Sequence, residues 1–136
     1  WINDSKATNV GATIAAISGL AQTKSAGQQL ILIAGGDGKG ADFTPLKPLL
    51  EQQVGQLITL GKDGDQLEAL ASNSRRVDSL EQAVELAGKS AKPGDIVLLS
   101  PACSSLDMFK NFAVRGQVFV AAVQAYAGKQ APEASA

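Results

Sequence analysis

The chain has 136 residues, 45% of them hydrophobic and 18% charged, and a formal net charge of -1. That length fits one domain with a real core, and the composition fits neither a disordered nor a membrane-spanning chain. Histidine is missing and Cys103 is the single cysteine, which excludes imidazole bases, histidine metal sites, Ser-His and Cys-His triads and an internal disulfide.

No apolar run approaches the ~18 residues of a spanning helix. With no basic block and few aromatics, neither nucleic acid nor an anionic membrane is expected as a main partner. One unpaired cysteine suits a reducing, cytoplasmic compartment. The chain opens on Trp1-Ile2 with no initiator methionine or signal peptide, so a domain of a longer polypeptide is expected.

Trp1-Ile2 reads as a short buried strand that turns through Asn3-Asp4-Ser5-Lys6-Ala7-Thr8-Asn9 into a helix. That helix spans Asn9 to about Leu20, with Val10, Ile14, Ile17 and Ala21 on one face and Thr8 or Asn9 as its cap. Leu30-Ile31-Leu32-Ile33-Ala34 is a continuous apolar run, the pattern of a parallel strand covered on both faces. The Gly35-Gly36-Asp37-Gly38-Lys39-Gly40 loop follows, and Thr44-Pro45 predicts a capped helix carrying Leu46, Leu49 and Leu50.

Leu57-Ile58-Thr59-Leu60 is a third strand, and Asp63 is the expected cap of a short helix with Leu67 and Leu70. Arg75-Arg76-Val77 is a weak strand, then Ser79-Leu80-Glu81-Gln82 is a capping box for a helix burying Leu80, Val84 and Ala87. Pro93-Gly94 breaks the chain before a buried strand over 95–100. The loop from Pro101 to Asp107 leads to a last helix whose Phe112, Phe119, Val123 and Tyr126 share a face. Strands and helices alternate throughout, which predicts an α/β, Rossmann-like fold: a mostly parallel sheet of about six strands with helices on both faces. The last stretch, 129–136, has no apolar period and reads as a flexible tail.

Three loops begin at strand ends: Asp4 to Asn9, Gly35 to Gly40, and Ser100 to Asp107. In an open α/β sheet that rim is where ligands bind, so the three are expected to converge on one anionic ligand. The phosphate-loop pattern fails at the second loop, because Gly40 follows Gly38-Lys39 and Ile33 stands where its first glycine belongs. Gly36-x-Gly38-x-x-Ala41 matches the dinucleotide fingerprint, with Asp63 about 22 residues on, so a free-standing dinucleotide-binding module is an alternative. A plain glycine turn with a solvated lysine is another; against it, flanking glycines leave Lys39 open to a carboxylate or phosphate. Cys103 lacks a histidine to activate it and reads as a small buried packing residue. Ser104 and Ser105 can cap a helix, or Ser105 can hold a carboxylate at that helix's N-terminus. Asp4 and Lys6 are either a solvated turn pair or contacts to ribose and phosphate.

The three loops, together with Asp42-Phe43, Phe109-Lys110-Asn111-Phe112 and Arg115-Gly116, resemble the C-terminal domain of the Mur ligases over nearly the whole chain up to Gly128. Lys6-Ala7-Thr8-Asn9, where relatives adding other amino acids tend to carry a histidine, points to the branch that adds D-glutamate. The resemblance implies an ATP- and Mg-dependent amide ligase that extends UDP-N-acetylmuramoyl-L-alanine through an acyl phosphate in peptidoglycan synthesis. It implies an amino-acid-binding domain over 1–128 that closes over ATP, is inactive alone, and belongs to a monomeric enzyme. By motif, Thr8 and Lys39 would hold one carboxylate of D-glutamate. Ser105, with backbone around Leu106 and Phe112, would hold the other. Asp4 would meet the nucleotide ribose and Lys6 the phosphates, with no metal ligand and no acid-base residue on this domain.

Overall fold

The computed structural model describes residues 1–129. Five strands alternate with five helices: β1 (Ile2–Asn3), α1 (Val10–Thr23), β2 (Leu30–Gly35), α2 (Lys47–Gln52), β3 (Gln56–Leu60), α3 (Gly64–Glu68), β4 (Ser74–Arg76), α4 (Leu80–Ser90), β5 (Ile96–Leu99) and α5 (Phe112–Lys129). The strands form one sheet in the order β1-β5-β2-β3-β4, and every pairing is parallel. The expected α/β architecture is present, with five strands among the described residues where about six were expected.

β2 explains the sheet's position. All six of its residues are buried. Leu30, Leu32 and Ala34 pack with Ile17 of α1, Leu50 of α2 and Leu67 of α3. Ile31 and Ile33 face the other way, towards Leu80, Val84 and Ala87 of α4 and Phe119 of α5. Side chains alternate across a strand, so an unbroken apolar run needs helices on both faces. Burying each Leu or Ile contributes roughly 1.5–3 kcal/mol, which makes β2 the anchor and leaves two-residue β1 a minor contributor.

β1 departs from expectation. It is the edge strand and pairs with β5 alone, so Trp1 and Ile2 remain 45% and 37% exposed rather than buried. The Trp1 ring packs edge-on against Phe119 and tilted against Tyr126, with centroids 6.2 and 6.0 Å away. Phe112 also leaves the expected core face, being 48% exposed at the first turn of α5. Phe119 on that face is buried.

The caps show where local chemistry competes. Asn9 caps α1 by accepting from Ala12 N–H at 2.8 Å, and the helix runs on to Thr23. Thr44 caps nothing; Asp42 Oδ1 accepts from its N–H and hydroxyl at 3.0 and 2.7 Å, and Thr44–Leu46 forms a 3-10 turn. The Asp42 carboxyl is held below the usual range by those bonds. Asp63 sits at the start of α3, but its side chain accepts from no backbone N–H of the first turn. Ser79 caps α4 through Gln82 N–H, but the returning Gln82 side chain accepts from Asp78 N–H, one residue before the expected donor. Of the expected tail, Lys129 belongs to α5, and 130–136 lie outside the described residues.

Candidate functional site

The chain adds β3 and β4 on one side of β2, then returns to place β5 on the other. The strand order therefore reverses between β2 and β5, and the crevice beyond their carboxyl ends is the favoured place for a ligand. β1 lies next to β5, so the three loops singled out in the sequence leave three neighbouring strands.

Backbone bonds knit these loops together. Gly35 N–H donates to Pro101 O at 3.0 Å, and Ala102 N–H donates to Ala7 O at 3.0 Å. Asp37 N–H donates to Ser104 O at 3.0 Å and receives Ser104 N–H on its own carbonyl at 2.8 Å. Gly36, at φ 129°, lies so close that a Cβ there would meet Ser104 O, so this position requires glycine. Asp63 N–H closes the same turn on Gly36 O at 2.9 Å.

Lys39 is exposed at φ 52°, a left-handed conformation uncommon for a side-chain-bearing residue. Two carboxylates hold it there. Asp37 Oδ1 accepts from Lys39 N–H at 2.9 Å, and Asp63 Oδ2 accepts from Gly38 N–H at 2.7 Å. Among the described residues the Lys39 ammonium group enters no ion pair; the nearby Asp37 carboxylate takes Lys62 at 3.8 Å instead.

At the third loop Ser105 is buried, and its carbonyl accepts from Met108 and Phe109 N–H at 3.1 and 2.8 Å. Asn111 then caps α5 by accepting from Val114 N–H at 2.9 Å. The 18-residue α5 thus points its N-terminus, a partial positive charge, at this rim.

Thr8, Lys39, Ser104, Ser105, Leu106, Asn111 and Phe112 line one open depression of about 380 Å3. All five residues expected to contact D-glutamate are among them, and no carboxylate is. One ammonium group, three hydroxyls and a helix N-terminus suit an anion of amino-acid size. Asp4 and Lys6 do not line it; they border two larger depressions, one of which shares Phe112 with it. The Asp4 carboxylate accepts from Ser100 Oγ at 3.0 Å, and Lys6 is exposed.

Cys103 is buried, and burial pushes its thiol up to about 12. Packing is its role. The dinucleotide reading fails for a related reason: the Gly38 N–H it needs for pyrophosphate is taken by Asp63. The loop also leads into a 3-10 turn and six-residue α2, not a long helix aimed at a ligand.

Sequence reasoning missed what sits behind the depression. Arg115 is 3% exposed and reaches Ser5 of the first loop and Cys103 of the third. Its signal was present, since Arg115 stands one turn before Phe119 on the apolar stripe of α5.

The family model described as Mur ligase, glutamate ligase domain matches residues 1–103. The chain belongs to the Mur ligase family. A Mur ligase relative from Colwellia psychrerythraea, named UDP-N-acetylmuramoylalanine--D-glutamate ligase, is 65% identical over 92% of this chain and 26% of its own length. A relative of the same name from Shewanella violacea is 57% identical over 92% of this chain and 27% of its own. The chain thus spans about a quarter of the length of these relatives. A domain from a Haemophilus ducreyi 35000HP protein assigned as a UDP-N-acetylmuramate:L-alanyl-gamma-D-glutamyl-meso-diaminopimelate ligase shares the fold. Its TM-score is 0.55 at 15% identity over 85% of each chain. No helix of the described residues is long and apolar enough to cross a membrane.

Proposed function

We propose that this domain binds D-glutamate for an ATP-dependent ligase that adds it to UDP-N-acetylmuramoyl-L-alanine in peptidoglycan synthesis. One observation carries the reading: Thr8, Lys39, Ser105, Leu106 and Phe112, from all three loops, line a single depression free of carboxylates. D-Glutamate carries two carboxylates, and the depression offers two kinds of anion partner. Thr8 and Lys39 take one carboxylate. Ser105 and the backbone near Leu106 and Phe112, at the α5 N-terminus, take the other.

No general acid or base is required of these residues. Their work is positioning and charge compensation, with the amine held beside an acyl phosphate formed on the L-alanine carboxylate. Fixing nucleophile and electrophile together is worth up to ~7–11 kcal/mol of barrier in ideal geometry. Closure over the ATP-bearing part of the polypeptide shields the acyl phosphate from water.

Asp4, with its second carboxylate oxygen free of Ser100, suits a ribose hydroxyl, and exposed Lys6 suits a phosphate. ATP supplies the phosphoryl group when bound. Magnesium accompanies ATP in this reading, with its ligands mostly in the rest of the polypeptide. The enzyme acts as a cytoplasmic monomer in this reading, with neither nucleic acid nor membrane as partner.

Calorimetric titration of the complete polypeptide with D-glutamate, in the presence of ATP analogue and nucleotide sugar, tests the reading. D-Glutamate should bind, and Lys39→Ala should abolish the heat. Equal binding by wild type and variant would remove the depression from the mechanism. The isolated domain should release no ADP, with or without D-glutamate.

A further inference from the structure

Among the described residues, Arg115 is the only buried charged side chain. It enters no ion pair there, and its three side-chain bonds all go to neutral acceptors. Nε–H donates to Ser5 Oγ at 2.9 Å, one terminal nitrogen to Ser5 O at 2.6 Å, and the other to Cys103 O at 3.0 Å. Ser5 Oγ donates in turn to Phe112 O at 2.7 Å. Asp107 borders a small cavity together with Arg115, but its carboxylate accepts from Lys62 N–H at 2.9 Å. Burial lowers the guanidinium to about 10, so it stays charged at neutral pH.

Burying a cation with no carboxylate in ion-pair contact is costly, even with Asp107 nearby, and an apolar side chain of similar volume would fill the space more favourably. What a guanidinium supplies instead is a rigid fork with donors in fixed directions. Here the fork spans two loops. Thr8 lies three residues beyond Ser5, and Ser105 lies two beyond Cys103. Phe112 is tied in through the Ser5 hydroxyl.

We infer that Arg115 is a positioning residue for the anion depression, fixing the distance between its Thr8 wall and its Ser104–Ser105 wall. The inference rests on the D-glutamate reading above. A lysine has the charge but no fork, and a point donor cannot hold Ser5 O, Ser5 Oγ and Cys103 O together.

The test uses the complete ligase, with KM measured separately for D-glutamate, ATP and the nucleotide sugar. Arg115→Met and Arg115→Lys should each raise the D-glutamate KM at least about tenfold, because displacing a bound group by an ångström is costly. The other two KM values should stay within about twofold. Three outcomes overturn the inference: an unchanged D-glutamate KM, a parallel rise for all three substrates, or recovery in Arg115→Lys alone, which would reduce the role to charge. Lys39→Ala separates this from the reading beneath it. If Lys39→Ala leaves the D-glutamate KM untouched, the depression is not the site and both ideas fall. If Lys39→Ala raises it and the Arg115 variants do not, only the positioning role falls. Should Arg115→Met melt below the assay temperature, Ser5→Ala carries the test. It keeps the cation and removes one acceptor, and should raise the D-glutamate KM about two- to fivefold, the scale of one hydrogen bond; no change overturns the role.

Discussion

The Asp63 carboxylate accepts a 2.7 Å hydrogen bond from Gly38 N–H, joining the end of β3 to the residue before Lys39. Its other oxygen takes Gln66 at 3.0 Å. Asp63→Ala leaves the half-buried Gly38 N–H unsatisfied, a cost of about 1–3 kcal/mol. The expected result is a lower urea midpoint together with a raised D-glutamate KM, since the turn carrying Lys39 loosens. A stability loss with unchanged D-glutamate KM would mean that Asp37 alone fixes Lys39.

Lys39→Ala should lower kcat/KM for D-glutamate by roughly 2–4 kcal/mol, because a bound carboxylate loses its charged partner. Ser105→Ala removes one neutral donor and should cost less, about 0.5–1.5 kcal/mol. Steady-state kinetics on both variants ranks them. If Ser105→Ala proves the more damaging, charge is not the leading contribution to binding.

Cys103 should be inert to thiol reagents in the folded protein at pH 8, because the reactive thiolate is suppressed by burial. Its folded value lies above the ordinary 9.0, at about 12, so the neutral thiol is favoured in the fold. That contribution is complete below about 9 and is lost as pH rises towards about 12. Labelling of native and urea-unfolded protein with a chromogenic disulfide checks the first statement: colour should develop only on unfolding.

Asp95 gives the opposite pH behaviour. Its carboxylate accepts from Lys92 N–H at 2.8 Å and Gln29 N–H at 2.9 Å, which lowers its pKa from the ordinary 3.8. A lowered value favours the charged form in the fold, so the contribution is present above 3.8 and lost as pH falls through the lower folded value. Asp95→Asn should therefore destabilise at pH 6, and the gap from wild type should narrow in strong acid. Urea unfolding at the two pH values reads this directly.

Much of this was legible because it rests on local pattern. The apolar run at β2, the alternation of elements and the hydroxyl-lysine-hydroxyl distribution over three strand ends are visible along the chain. What was hidden depends on what each residue meets across space. Trp1 looks buried by hydrophobicity, yet β1 is an edge, and Phe112 fits the helical stripe of Phe119 while lining the depression. Asp63 and Thr44 look like caps until Gly38 and Asp42 compete for their hydrogen bonds. Arg115-Gly116 stands in the sequence as part of a motif, but only the tertiary structure shows that the partners of Arg115 lie on two other turns.

The joints between the three turns are mostly main chain to main chain: Gly35 to Pro101, Ala7 to Ala102, and Asp37 with Ser104. Such joints are indifferent to side-chain identity, Gly35 and Gly36 excepted, so the frame and its lining are separable. Positions 8, 39 and 105 can be exchanged for other residues without dismantling the rim. This architecture lends itself to selection for a different amino acid at those three places while the scaffold stays as it is.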